Sequence, residues 1–169
     1  MSSPLAIRRA DLSDLATVMR LAHEIWHRHY PGIITVEQID YMLARGYSHE
    51  ALSAYVTDPT RGLVVAEYDA GPVGFCAWYP PGEPASMKLD KLYVLPEIQR
   101  KGVGRALIEH VARAARMAGC RTLILNVNRN NVDAVRAYEH CGFTIRESGD
   151  FPIGNGFMME DYIMARDLA

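Results

Sequence analysis

Leu92-Tyr93-Val94-Leu95-Pro96-Glu97-Ile98-Gln99-Arg100-Lys101-Gly102-Val103-Gly104 is the stretch on which the architecture of this chain turns. An extended apolar run passes through Pro96 into a glycine-bearing turn, and the turn opens an amphipathic helix. Backbone N–H groups from Arg100 to Gly104 have no acceptor inside the helix and lie at the positive end of its dipole. A phosphate placed there satisfies several donors together. Gly102 and Gly104 let it come close to the backbone. Two common glycine-turn chemistries are excluded. A dinucleotide fingerprint needs a third glycine where Leu107 stands, and a P-loop needs Gly-Lys-Ser/Thr where Gly104-Arg105-Ala106 stands.

The helix beyond the turn, Val103 to Ala118, places Val103, Leu107, Val111, Ala114 and Ala118 on one face, and Gly119 ends it. Thr122 to Val127 then returns as a parallel strand, completing a βαβ unit. A second strand, loop and helix follow in Leu125-Asn126-Val127-Asn128-Arg129-Asn130-Asn131-Val132-Asp133-Ala134-Val135-Arg136-Ala137-Tyr138-Glu139-His140-Cys141-Gly142-Phe143. Together the two blocks resemble the GNAT N-acetyltransferase superfamily. Its Gln/Arg-x-x-Gly-x-Gly/Ala signature falls on Gln99, Arg100, Lys101, Gly102, Val103 and Gly104. Its L-x-V-x-x-x-N-x-x-A-x-x-x-Y-x-x-x-G-F pattern is met by Leu125, Val127, Asn131, Ala134, Tyr138, Gly142 and Phe143.

Composition agrees with a single enzyme-sized unit. At 169 residues, 49% of them hydrophobic, the chain holds one well-buried core and is short for two, so one domain over residues 1–169 is expected. Eighteen Lys plus Arg against twenty Asp plus Glu leave a net charge of −2, which calls for neither nucleic acid nor an anionic membrane. The start, Met1 to Arg9, has no apolar stretch of signal-peptide length, and no run approaches a membrane span. A soluble cytoplasmic protein is therefore expected. Cys76, Cys120 and Cys141 have no metal-ligand spacing and lie in apolar segments, which fits reduced, buried thiols.

Upstream, Leu5 to Arg9 reads as a first strand, and Asp11 caps a helix that stops at Tyr30-Pro31-Gly32. Thr35 with Gln38 predicts a capping box for a second helix, and Ser48 caps a third running to Thr57. Leu63 to Tyr68 and Val73 to Tyr79 flank Asp69-Ala70-Gly71-Pro72 as a hairpin, with Met87 to Leu95 as the next strand. Phe143 to Ser148 and Tyr162 to Arg166 read as closing strands around a loop from Asp150 to Met159. The order is mixed α/β: seven strands, mostly antiparallel, with helices on both faces and the βαβ unit at the centre. That is the fold the resemblance implies.

The resemblance also implies a site. Acetyl-CoA would serve as co-substrate, its pantetheine bonded by backbone groups of Leu92, Tyr93 and Val94. Its pyrophosphate would sit in the Gln99 to Gly104 turn, near the charges of Arg100, Lys101 and Arg105. Asn131 would bond the pantetheine as well as cap its helix. Tyr138, two turns further along the same helix face, would point toward the sulfur, where a phenol can protonate the leaving thiolate. An amine acceptor must lose a proton before it can attack, and the candidate bases are Asp90, which alternates onto the same strand face as Leu92 and Val94, and Glu67 on an earlier strand, acting directly or through water. In ribosomal-protein-type N-terminal acetyltransferases a Glu occupies the position of Asn126, so that carboxylate is missing here.

His23-Glu24-Ile25-Trp26-His27 spells H-E-x-x-H on a helix, but Tyr30 and Ile33 stand where an extended zinc-protease pattern wants Gly and His. No metal site is therefore expected. The C-terminal stretch Phe151 to Arg166, the His29 to Ile34 loop and the Glu37 to Leu43 helix resemble the PaiA-type polyamine acetyltransferases. A small cationic amine is thus the expected acceptor, with Glu24, Glu37, Asp40, Asp150, Glu160 and Asp161 as anionic walls. Protein α-amine acetylation is the alternative; a non-catalytic CoA-binding sensor and a zinc peptidase are remoter ones. Oligomeric state, a homodimer included, stays open.

Overall fold

A computed structural model describes residues 4–169. Strands β1 (Leu5–Arg9), β2 (Gly62–Tyr68), β3 (Gly71–Tyr79), β4 (Ser86–Val94), β5 (Thr122–Asn128), β6 (Thr144–Gly154) and β7 (Phe157–Asp167) form one sheet in the order β1-β2-β3-β4-β5-β7-β6. Every neighbouring pair is antiparallel except β4 with β5. The central strands are apolar on both sides because both sides are covered. In β2, Val64 and Ala66 enter one core while Leu63 and Val65 enter the other. The β2–β3 turn is made by Asp69 and Ala70, both at positive φ (51° and 65°), a geometry that matches the strand twist.

Helices α1 (Leu15–His29), α2 (Val36–Gly46) and α3 (His49–Thr57) cover one face, packing Leu15, Ile25, Trp26, Ile39 and Leu52 onto Leu63, Val65, Phe75 and Ala77. Helices α4 (Val103–Met117) and α5 (Val132–His140) cover the other. The buried stripe of α4 runs through Val103, Leu107, Ile108, Val111, Ala112 and Ala115. Ala118 lies past its end and is exposed, unlike its expected place on that face. Leu107 is fully buried, so truncating it to alanine costs about 2–5 kcal/mol.

Local caps agree with the side chains that provide them. Asp11 accepts from Ser13 N and Asp14 answers onto Asp11 N, forming a capping box around a single 3-10 turn ahead of α1. Thr35 accepts from Gln38 N at 3.1 Å, but the reciprocal half of the expected box is absent. The Gln38 amide instead donates to the Met158 carbonyl at 3.0 Å. That bond belongs to the main departure from expectation: residues 150–159 are not a loop. β6 and β7 run on to Gly154 and from Phe157, and the long hairpin they make reaches α2, where Tyr41 donates to the Ile153 carbonyl at 2.9 Å.

Two irregularities in β4 shape the site. Its parallel pairing with β5 covers only Ser86↔Thr122, Met87↔Leu123 and Lys88↔Ile124, after which the strands diverge. Against β3, the register passes from Trp78↔Leu89 to Ala77↔Lys91, leaving Asp90 as an extra residue. Such a bulge re-aims side chains. Met87, Leu89, Leu92 and Val94 thereby all join the α4–α5 core, and Asp90 faces α3 instead of sharing their side as its spacing predicts.

Candidate active site

The divergence of β4 from β5 opens a cleft of about 1110 Å³, bounded at one end by the first turn of α4 and at the other by α1, α2 and the β6–β7 hairpin. Gln99, Arg100, Gly102, Val103, Gly104 and Arg105 line the first end. Arg100 (φ 67°) and Gly102 (φ 82°) both take left-handed backbone, which turns successive N–H groups toward one side as an anion nest. No side chain caps α4, so its first-turn donors remain available. A Cβ built on Gly104 meets no atom within 4 Å; it would stand in open cleft. Lys101 is the exception among the expected phosphate residues. It is outside the lining, with its ammonium 5.9 Å from the ring centroid of Tyr68.

Along the cleft, Leu92, Tyr93 and Val94 line the edge of β4 that β5 has left. Asn131 is buried and lines the opposite wall, yet its side chain does not cap α5 as expected. Tyr138 lines the same wall. Burial pushes its phenol well above the ordinary value, so it stays protonated and can act as a proton donor.

The far end is a chamber of aromatic rings. Trp26 packs on Tyr30 at 4.4 Å between centroids and on Tyr93 at 5.5 Å, and the Tyr30 and Tyr93 hydroxyls are 2.9 Å apart. Burial pushes Tyr30 up to about 12 and Tyr47 and Tyr93 well above their ordinary range, so all three are neutral. Asp90 accepts from the Tyr55 hydroxyl at 2.6 Å and from Lys91 Nζ at 3.0 Å. Burial raises its carboxyl, but Lys91 and Tyr55 outweigh that and hold it below the ordinary value. Asp161 projects from β7, buried and lining the chamber.

Several expected residues are elsewhere. Glu67 lies outside the cleft, receiving Arg8 Nε at 2.5 Å. Of the six acids offered as anionic walls, only Asp161 lines the cleft. Asp40 accepts from or pairs with His27 at 3.0 Å, and Asp150 is paired with Arg129 at 2.9 Å. His27 also contacts the His23 carbonyl at 2.8 Å, which engages both its ring nitrogens away from the cleft. Conversely, Lys91 and the rings of Trp26, Tyr30 and Tyr47 were not marked as site residues by their spacing. The placement of Trp26 and Tyr30 four apart on one helix face was the available signal.

The model of the acetyltransferase (GNAT) family matches residues 20–143. The chain belongs to the GNAT acetyltransferase family. An uncharacterized N-acetyltransferase of Mycobacterium tuberculosis is 32% identical over 138 residues, which are 82% of this chain and 87% of that one. A spermidine N(1)-acetyltransferase of Thermoplasma acidophilum is 27% identical over 160 residues, covering 92% and 96%. Among solved structures, a PaiA N-acetyltransferase from Thermoplasma acidophilum in complex with coenzyme A superposes with a TM-score of 0.81 at 25% identity over 99% of both chains. This GNAT acetyltransferase takes its acetyl group from acetyl-CoA. The open nest, the clear space over Gly104 and the unpaired edge of β4 fit such a donor.

Proposed function

We propose that this acetyltransferase moves the acetyl group directly onto a small cationic primary amine, with polyamines as the acceptor class. The observation that carries this is the aromatic chamber at the end of the cleft. Rings of Trp26, Tyr30 and Tyr93 line a space where a desolvated cation gains about 0.5–2 kcal/mol per well-placed face, while the face of Tyr47 already holds Lys91 Nζ, 4.6 Å from its centroid. The likeness to a spermidine N(1)-acetyltransferase supports the same class.

Acetyl-CoA brings a thioester whose carbon accepts an amine lone pair and whose sulfur departs as thiolate. In this reading the turn from Gln99 to Gly104 binds the pyrophosphate through backbone N–H groups, with Arg100 and Arg105 offsetting charge. Backbone groups of Leu92 to Val94 hold the pantetheine as an added strand would be held, and Asn131 bonds it from the α5 side. Tyr138 donates its phenolic proton to the departing sulfur. The hairpin residues Phe151, Ile153 and Met159 line the chamber end of the cleft and would shield it from water once the acceptor is bound.

Release of CoA measured across polyamines, amino acids, aminoglycosides and peptides with free N-termini tests the proposal. Spermidine or spermine is expected to give the highest kcat/KM. A clear preference for the peptides overturns the acceptor class in favour of protein α-amine acetylation.

A further inference from the structure

Among the charged groups of the chamber, Asp161 is the one without a cation. It stands on β7 opposite Asn128 of β5, with only 6% of its surface exposed. Among the described residues its Oδ1, shut off from solvent, meets no donor, and its Oδ2 has a long contact of 3.4 Å from Asn126 Nδ2. A carboxylate kept this dry with one oxygen unpartnered and the other weakly bonded is costly, and proteins retain such groups where a ligand completes them. Asp90, the other carboxylate of the chamber, is already satisfied by Tyr55 and Lys91.

We infer that Asp161 receives the ammonium group of the acceptor and takes its first proton. The inference rests on the amine acetylation proposed above and goes on to name the base. The proton passes from nitrogen to a carboxylate oxygen, so that an ammonium and a carboxylate become a free amine and a carboxylic acid. The lone pair released on nitrogen is the one that attacks, and the acid returns its proton to water when the product leaves. Its surroundings favour the neutral pair. Burial pushes the Asp161 carboxyl above its ordinary value, opposed by the Asn126 amide and by the more distant Lys88 and Arg129, while the nearby Tyr30 phenol is neutral. In a poorly solvated chamber two neutral partners cost less than two charges.

Asp161→Asn is nearly isosteric and separates the possibilities. With the amine the wild type uses best, kcat/KM at neutral pH is expected to fall about a hundredfold or more. The residual activity should climb with pH as the free-base fraction of the amine rises. Acetyl-CoA affinity by calorimetry should stay within about twofold, and the melting temperature should hold or rise because an uncompensated buried charge is gone. Wild-type kcat/KM with an unchanged pH profile overturns the inference. So does a loss of acetyl-CoA affinity in step with activity, because the carboxylate then serves the fold. If peptides replace polyamines as best acceptor, the polyamine proposal fails while the same loss is still expected on the peptide amine.

Discussion

Tyr138 carries its proton at neutral pH, as any phenol does, and desolvation raises its pKa further above the ordinary value. Tyr138→Phe keeps the ring against Phe143 and is expected to lower kcat about a hundredfold with acetyl-CoA affinity unchanged, as single-turnover kinetics and calorimetric titration would check. An unaltered chemical step would return Tyr138 to a packing role. At this scale the sequence was legible where a residue belongs to a local motif. Gly102, Gly104, Asn131 and Tyr138 were found because strand, turn and helix fix their neighbours. Asp90 was read from strand alternation, and a bulge turns it toward α3 though it still lines the cleft; Glu67, on an earlier strand, is held outside by its ion pair with Arg8, and neither event leaves a mark in spacing.

Among the elements, the turn into α4 and the entry to α1 make separable tests. Gly104 has ordinary backbone and free space over it, so Gly104→Val should fold normally while abolishing acetyl-CoA binding in a calorimetric titration, because the new side chain fills the phosphate position. Near-normal affinity would remove the cradle from that turn. Asp14 closes the capping box ahead of α1 and accepts two bonds from Arg8, at 2.7 and 2.9 Å. Those bonds from Arg8 hold its carboxyl below the ordinary value. A carboxyl depressed in the folded state stabilises above its unfolded value of ~3.9 and loses that contribution as pH falls through the folded value. Asp14→Asn should therefore lower the melting temperature by several degrees near neutrality, with the gap to wild type closing in acid. Helix starts such as this were plain in Asp11, Thr35 and Ser48. The Gln38 amide was not, since its partner Met158 lies 120 residues away on a hairpin whose polar tip reads as a loop.

At the scale of the whole molecule, the sheet is two leaves, β1 to β4 and β5 to β7, joined by three register pairs. In the binding mode proposed above acetyl-CoA would bridge them, and at a concentration of a hundred times its Kd it should add about 2.7 kcal/mol of stability, a rise of about 5–10 °C in melting temperature. A scan with and without the donor reads this directly, and no shift would mean that the folded chain does not bind it. The overall order of strands and helices was readable because each hydrophobic period is local, whereas the extent of the splay and the reach of the hairpin depend on contacts between distant segments. The hairpin has a consequence for the history of such enzymes. Its tip is fastened to α2 by Gln38 and Tyr41, far along the chain from the glycine turn and from Tyr138. In the proposed reading, the glycine turn and α5 serve the donor, α1, α2 and the hairpin serve the acceptor, and Tyr93 of β4 is shared by both. On that reading, selection could alter the shape of the acceptor end by editing residues 151–159 and their seat on α2 while leaving the glycine turn and Tyr138 as they are.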